Sequence, residues 1–276
     1  MGHPTQIPPP LTPTFLKLTF PSPRVVLVTM DRPSAMNCIN AAGAEELSAV
    51  WTWLDEEPNL TVAVITGAGD KAFSAGADLK EWSQSLQPGG PERRVTKSKG
   101  VGLSRRRGKK PVIAAVNGLA LGGGTEFAVN CDLVVAAENA SFGLPEVTRG
   151  VAPFAGALPR LIRSIGLQRA SELALTGQRI SSRQAYEWGL VNKVVSQKGV
   201  VQEALRYAAL IAANSPDSII CTRAGLREGW AKADVEDAVQ TTMDNEFAEL
   251  QKGENIKEGL KAFAERREPR WKPSRL

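Results

Sequence analysis

The chain has almost no histidine. The single one, His3, lies in a proline-rich start, and we expect residues 1–14 to form a flexible tail. A Ser–His–Asp or Cys–His catalytic site is therefore excluded from the folded part, and so is a histidine-based metal site. Any acid–base chemistry must use carboxylates, lysines or tyrosines instead.

Cysteines and long apolar runs are also scarce. The three cysteines lie far apart, at Cys38, Cys131 and Cys221. This sparse, odd count predicts a reducing compartment rather than a disulfide framework. No apolar run approaches the roughly 18 residues that suggest a membrane span, so we expect none. The start of the chain also lacks the features of a secretory signal or a mitochondrial transit peptide.

Basic residues exceed acidic ones, which gives a formal net charge of +5. Between Arg93 and Lys110 basic residues occur without a single acid. This run, within the polar segment 84–110, predicts a solvated surface segment, with a phosphate-binding flap or a nucleic-acid patch as alternatives. Because no aromatic residue interleaves the basic ones, nucleic acid is an unlikely partner.

Apolar strands lie early in the sequence and helical patterns lie late. Four near-continuous apolar runs, at 25–28, 62–66, 112–116 and 132–136, predict parallel strands covered on both faces. Asn40 can cap a first helix that ends before Pro58. From about Leu158 onward, helical periodicity covers 158–165, 168–176, 181–188, 200–213, 216–229, 234–251 and 254–267.

Two junctions between a predicted strand and a helix are rich in small residues. One is 74–78, and the other is 121–126, directly after the strand 112–116. Parallel strands bring such junctions to the same carboxyl edge of a sheet, where α/β proteins bind ligands. The N–H groups of Ala77 and Gly123 can then converge on one oxygen as an oxyanion hole. Two tight turns without function are the alternative.

Two glutamates accompany these junctions. Glu126 lies in the first turn of an otherwise apolar helix, and Glu146 follows Pro145 just before an apolar segment. Two carboxylates that flank one reacting atom can hold a water molecule and move protons. Their mutual repulsion would raise one pKa and keep one proton between them.

Three ordered motifs resemble the enoyl-CoA hydratase/isomerase (crotonase) family, most like its fungal peroxisomal hydratases; they are residues 72–80, 111–126 and 142–146. The resemblance covers roughly residues 15–268. It implies an α/β fold, the ClpP/crotonase-like spiral of ββα units, over residues 15–199. A C-terminal helical trimerisation region would span 200–270, followed by a tail at 271–276. Homotrimers or homohexamers would be the assembled form.

The resemblance also implies roles for single residues. Ala77 and Gly123 match the oxyanion-hole amides, and Glu126 and Glu146 match the two catalytic acids. Further substrate and CoA contacts would come from Ala35, Ala75, Asp78, Leu79, Lys80, Gly122 and Phe154. No metal and no cofactor would be needed, because the CoA thioester is itself the substrate.

These matches imply a 2-enoyl-CoA hydratase that adds water across the 2,3 double bond, or removes it in reverse. It would serve fatty-acid β-oxidation or the tailoring of a specialised acyl chain. Phe154 replaces a glycine that hydratases of the family carry in the acyl-pocket segment. Alternatives are a Δ3-Δ2 enoyl-CoA isomerase, another crotonase-type lyase or, as a minor alternative, an RNA-binding protein on this scaffold.

The chain ends with Ser274-Arg275-Leu276. This tripeptide resembles the peroxisomal signal Ser-Lys-Leu, with arginine keeping the positive charge. We therefore expect a peroxisomal protein, with a cytoplasmic location as the alternative.

Overall fold

The computed structural model describes residues 5–10, 14–88 and 102–276, and its strands form two sheets. The first sheet contains β1 (Leu16–Ser22), β2 (Val25–Met30), β3 (Val62–Gly67), β5 (Val112–Val116), β7 (Leu133–Ala137) and β10 (Lys193–Val195). The second contains β4 (Ala72–Ser74), β6 (Leu119–Leu121), β8 (Ser141–Gly143) and β9 (Arg179–Ser181).

The four predicted apolar strands are confirmed as β2, β3, β5 and β7. They lie side by side in the first sheet, in the order β1-β2-β3-β5-β7-β10, and every pair from β2 to β10 is parallel. β3 and β5 are buried at every residue, which explains their continuous apolar sequences. β1 pairs antiparallel with β2.

A strand of the first sheet, a short strand of the second and a helix repeat as one unit along the chain. The helices of the first two such units are α2 (Leu79–Ser85) and α3 (Gly123–Asn130), whereas α1 (Ala41–Glu56) follows the antiparallel pair β1 and β2 of the first sheet. Thus β3, β4 and α2 are followed by β5, β6 and α3, so each turn places a helix directly after a strand of the second sheet. This is the predicted spiral of ββα units.

The later half is mainly helical, as predicted, with α4 (Ala157–Ile165), α5 (Leu167–Thr176), α6 (Ser182–Glu187), α7 (Val200–Ala212), α8 (Pro216–Ala231), α9 (Val235–Thr242), α10 (Ala248–Lys252) and α11 (Glu254–Ala264). The single helix predicted over 234–251 is α9 and α10 joined by a π-helical turn, Met243–Phe247. Among the described residues, no helix combines the length and apolar character needed to span a bilayer.

Helix α7 completes the core of the spiral. Its residues Val200, Ala204, Ala208 and Ala212 recur every four positions and are buried in the same cluster as the strands. This stripe faces the first sheet, so α7 packs on the core of the spiral. The predicted C-terminal helical region, 200–270, starts with this helix.

The described part of the predicted N-terminal tail is anchored on α1 and the loop after it. Ile7 donates its backbone N–H to Glu57 Oε2 at 2.6 Å, and Trp53 Nε1 donates to the carbonyl of Ile7 at 2.9 Å. Thr14 donates through its backbone and its hydroxyl to Glu46. These contacts fix two points of the segment that was expected to be flexible.

Residues 89–101 of the basic segment lie outside the described residues. In 102–110, Arg105, Arg107 and Lys109 are exposed as predicted, but Arg106 and Lys110 are not solvated. Arg106 is buried against Asp55, with Nη2 at 2.5 Å from Oδ1. Lys110 is 2% exposed and donates to the carbonyl of Glu57. Burial of these two cations removes them from any surface patch.

Candidate active site

Two glycine-containing junctions meet where β4 and β6, adjacent parallel strands, end. Gly76 adopts a φ of +88°, and a Cβ there would lie 2.7 Å from the carbonyl oxygen of Leu121 and 2.9 Å from the nitrogen of Gly123. Only glycine permits this close approach. The predicted junctions are therefore in contact.

The backbone amides of Ala77 and Gly123 lie next to each other in this contact. A Cβ on Gly123 would lie 3.7 Å from the nitrogen of Ala77. Neither N–H group donates to an acceptor within the described residues. Two neighbouring unused donors can bind one oxygen atom and stabilise negative charge on it.

Glu126 enters the site from the first turn of α3. Its side chain is 4% exposed, and Oε1 accepts the backbone N–H of Ala157 at 3.2 Å. Burial raises the pKa of Glu126 above its usual value, although the amides of Ala157 and Ala155 and the charge of Arg160 oppose this effect. The carboxyl group is thus held in place, with a pKa above that of an exposed glutamate.

Glu146 reaches the same place from the short 3-10 helix Pro145–Arg149. Its Oε1 would be 2.9 Å from a Cβ on Gly122, whose φ is +52°, so a side chain at Gly122 would displace the carboxyl group. Its Oε2 is buried and has no donor among the described residues. Burial, together with a smaller effect of the charge of Glu126, raises the pKa of Glu146 to about 7.

The turn that contains Ala35 is fastened to the first junction. Ile39 donates its N–H to the carbonyl of Gly76 at 2.8 Å, and Ala75 donates to the carbonyl of Met36 at 3.0 Å. Ala35, Ala75 and the exposed Leu79 and Lys80 therefore lie on segments next to the amide of Ala77. Their contacts with CoA stay predictions.

Asp78 has a supporting role in this geometry. Its carboxylate lies 2.9 Å from Arg32 Nη2 and accepts the backbone N–H groups of Lys80 and Glu81 at the start of α2. Burial alone would raise the pKa of Asp78, but the hydrogen bonds from Arg32 and Glu81 hold it below its usual value. Direct contact between Asp78 and substrate stays a prediction.

Phe154 lies beside the acidic pair and contacts α2. Its ring meets that of Trp82 edge to face, with centroids 6.0 Å apart and planes at 81°. Phe154 is 49% exposed. The ring contact therefore links α2, which begins two residues after Ala77, to the segment that binds Glu126.

Sequence reasoning missed the residues that support Glu126. Ala157 begins α4, and Arg160 of the same helix donates to the carbonyl of Gly156 at 2.9 Å and to Asn130 Oδ1 at 2.8 Å. Arg160 thereby ties the end of α3 to the segment that binds Glu126. The predicted helix near 158 was the available signal, because N–H groups at a helix start attract carboxylates.

The described residues contain no group of three or more histidine, cysteine, aspartate or glutamate side chains placed to hold a metal ion. The arrangement brings together two amide donors and two carboxyl groups. They can polarise a carbonyl group and move protons beside it.

Comparison with known proteins decides the family. The sequence model described as Enoyl-CoA hydratase/isomerase matches residues 22–274. The chain belongs to this family. It is 51% identical over 259 residues to mevalonyl-coenzyme A hydratase of Aspergillus fumigatus, covering 94% of this chain and 95% of the relative. It is 37% identical over 257 residues to carnitinyl-CoA dehydratase of Escherichia coli K12, covering 90% and 95%.

A solved structure agrees with these relatives. The crystal structure of enoyl-CoA hydratase from Mycobacterium tuberculosis H37Rv superposes with a TM-score of 0.86 at 36% identity, covering 94% of this chain and 99% of that one. The predicted enoyl-CoA hydratase/isomerase family, its fold and its enzyme class, a hydro-lyase, are thereby confirmed.

Proposed function

We propose that this protein adds water across the 2,3 double bond of a 2-enoyl-CoA thioester, or removes water in the reverse direction. The observation that carries this proposal is the pairing of two amides, at Ala77 and Gly123, that bind no acceptor among the described residues, with two acids of raised pKa, the buried Glu126 and the partly buried Glu146. An enzyme that hydrates needs both an electrophilic Cβ and a proton for Cα, and these four groups can supply both.

In the proposed reaction the thioester oxygen accepts hydrogen bonds from Ala77 and Gly123, which makes Cβ electrophilic. Glu126 takes a proton from water as the water oxygen bonds to Cβ, and the π electrons move toward the thioester oxygen. Glu146 then gives a proton to Cα as the enolate collapses. With a pKa of about 7, Glu146 carries a proton in a substantial fraction of molecules near neutral pH, which suits a proton donor.

The substrate is proposed to be a short 3-hydroxyacyl-CoA or the matching enoyl-CoA. The two reported relatives, a mevalonyl-CoA hydratase and a carnitinyl-CoA dehydratase, both act on CoA thioesters by name. Mevalonyl-CoA carries a hydroxyl group on C3, so its dehydration would use the same groups in reverse. We propose mevalonyl-CoA as the first substrate to test, ahead of straight-chain β-oxidation intermediates.

The decisive experiment incubates the purified full chain with mevalonyl-CoA, crotonyl-CoA and a 3-enoyl-CoA, and reads the products by mass spectrometry. We expect loss of water from mevalonyl-CoA and gain of water by crotonyl-CoA, with no change after prolonged treatment with a chelator. Double-bond migration without water uptake would favour the isomerase, and absence of turnover on all three would reject the proposal.

We also propose a homotrimer or homohexamer in the peroxisome. The assembly is supported by large apolar side chains exposed on the C-terminal helices, namely Leu226, Val235, Leu260 and Phe263. Size-exclusion chromatography with light scattering tests it. The location is supported only by Ser274-Arg275-Leu276, and imaging of an N-terminally tagged chain with and without these residues tests it.

A further inference from the structure

The acyl end of the candidate site is bounded by the Phe154–Trp82 ring pair. Trp82 belongs to α2, which begins two residues after Ala77. Phe154 directly precedes the segment 155–157, whose amide at Ala157 binds Glu126. The edge-to-face contact therefore links the oxyanion side of the site to the side that carries the acids.

The direction of a bound acyl chain follows from the positions of the four reacting groups. In the proposed reaction the thioester oxygen binds the amides of Ala77 and Gly123, and the sulfur would lead toward the exposed Lys80 at the start of α2. Carbon atoms beyond Cβ would then pass Glu126 and approach Phe154, because Phe154 directly precedes the segment that binds Glu126.

We propose that the Phe154–Trp82 ring pair is the end wall of the acyl pocket and restricts the enzyme to short acyl groups. This inference rests on the proposed function and names its substrate class. The proteins of this family that carry glycine in place of Phe154 would lack one half of the wall. A longer chain must separate the two rings, which removes their contact and exposes apolar surface.

The test compares kcat/KM for crotonyl-CoA and trans-2-decenoyl-CoA in the wild type and in Phe154→Ala. We expect the wild type to prefer crotonyl-CoA, and the decenoyl-to-crotonyl ratio to rise about 10- to 100-fold in the variant, the size of effect that pocket methylenes produce. Trp82→Leu should shift the ratio in the same direction. Ile162→Ala, which removes an exposed side chain on α4, is the matched control and should leave the ratio unchanged.

The outcomes separate this inference from the proposed function. Equal use of both thioesters by the wild type, or an unchanged ratio in Phe154→Ala, would overturn the end wall while hydration stands. A folded wild type that hydrates neither thioester, and does not dehydrate mevalonyl-CoA, would overturn the proposed function itself.

A second observation concerns the C-terminal tail and is independent of the catalytic site. Asp217 on α8 is 3% exposed and accepts hydrogen bonds from Asn255 Nδ2 at 2.7 Å and Ser274 Oγ at 2.5 Å. The buried amide of Asn255 also bonds both backbone polar groups of Lys272, at 2.8 and 3.1 Å. Buried polar groups thus bind the tail at two successive points.

Further contacts fasten both ends of this tail. Trp271 Nε1 donates to the carbonyl of Ala213 at 2.9 Å, and Arg24 Nη2 donates to the carbonyl of Trp271 at 2.5 Å. Arg275 forms an ion pair with Glu254 at 3.2 Å. We infer that the folded chain docks its own C-terminal tripeptide, so that a receptor for a free C-terminus must first displace it from Asp217.

Digestion by carboxypeptidase, followed by intact-mass measurement, tests this docking. We expect removal of Leu276 from the wild type to be about 10-fold slower, or more, than from Trp271→Ala, which keeps the last three residues but loses the anchor at Ala213, because protection scales with the population of the released state. Leu175→Ala, which removes an exposed side chain on α5, is the control and should behave as the wild type. Equal digestion of the wild type and Trp271→Ala would overturn the inference.

Discussion

The carboxyl group of Asp132 and those of Glu126 and Glu146 lie in opposite electrostatic surroundings. Asp132 has two guanidinium groups around it, with Arg223 Nε and Arg227 Nη2 each 2.9 Å from its Oδ1. Burial alone would raise the pKa of Asp132, but these cations hold it below its usual value. Glu126 and Glu146 form no salt bridge within the described residues, and burial raises the pKa of each.

The positions of the two groups in the sheet explain this difference. Asp132 lies just before β7 and accepts the N–H of Val112 at 2.9 Å, at the amino ends of two neighbouring strands. Glu126 and Glu146 follow strands of the second sheet, at their carboxyl ends. An acid paired with two cations is fixed as an anion and supports the fold, whereas an acid that burial destabilises as an anion and that forms no salt bridge can take up and release a proton.

The largest expected effect comes from neutralising Glu146, which forms no salt bridge within the described residues. Glu146→Gln should lower kcat/KM for hydration of crotonyl-CoA about 10²- to 10⁴-fold, because a glutamine cannot deliver a proton to Cα. Circular dichroism should show an unchanged fold. Glu138→Gln, at an exposed glutamate after β7, is the control and should keep wild-type kinetics. Near-normal turnover by Glu146→Gln would reject this role of Glu146.

Neutralising the paired acid should affect stability instead. Asp132→Asn leaves Arg223 and Arg227 without their counter-charge, and we expect the free energy of unfolding to fall by about 3–5 kcal/mol. Asp237→Asn, which removes an exposed ion pair with Lys232, should cost at most about 1 kcal/mol. Urea titrations measure both. A large loss of kcat in the folded fraction of Asp132→Asn, with stability unchanged, would contradict the comparison.

The sequence predicted the chemical groups of the site better than their supports. Apolar strands and small-residue junctions located Ala77, Gly123, Glu126 and Glu146, because strand ends and glycine turns are encoded locally. The amide of Ala157 lies 31 positions from Glu126. Short-range pattern reasoning does not reveal such a pair, since only the packing of α4 against α3 brings it together.

The fold shows the same division between local and long-range information. The fully buried strands β3 and β5 were predictable from their apolar runs, whereas the three-residue strands of the second sheet are too short for a periodic signal. The sequence predicts a solvated basic segment because charged side chains usually face solvent. The side chains of Arg106 and Lys110 are buried instead, because Arg106 binds Asp55 and Lys110 binds the carbonyl of Glu57. These partners are about fifty residues away in the sequence.

The contributions of Glu146 and Asp132 to thermal stability should change with pH in opposite directions. The folded pKa of Glu146, about 7, exceeds the ordinary value of 4.5, so its stabilising contribution is complete below the ordinary value and is lost as the pH rises through 7. Glu146→Gln should therefore melt above the wild type at about pH 8, with the gap closing by about pH 5.

Asp132 should behave in the reverse manner in the same series. Its folded pKa is depressed, so its contribution is present above the unfolded pKa and is lost as the pH falls. The Tm of Asp132→Asn should therefore approach that of the wild type only in acid. Differential scanning fluorimetry of both variants, with Glu138→Gln as control, measures these gaps. Gaps that do not change with pH would contradict the assigned pKa directions.

The smallest expected effect separates structural support from substrate contact at Asp78. Asp78 caps α2 and binds Arg32, and losing a helix cap costs about 0.5–2 kcal/mol. Asp78→Ala should show this loss in urea titrations. Because α2 begins next to the amide of Ala77, its frayed start should also raise KM for crotonyl-CoA.

Asp234→Ala is the matched control, because Asp234 caps α9 by the same interaction, accepting the N–H of Asp237 at 3.0 Å. It should cost similar stability and leave KM unchanged. If Asp78→Ala raises KM and Asp78→Asn keeps KM at the wild-type value, the hydrogen bonds to the start of α2 matter rather than the charge. If Asp78→Asn fails to restore KM, the charge of Asp78 acts on the substrate or through Arg32, and its role extends beyond that of a helix cap.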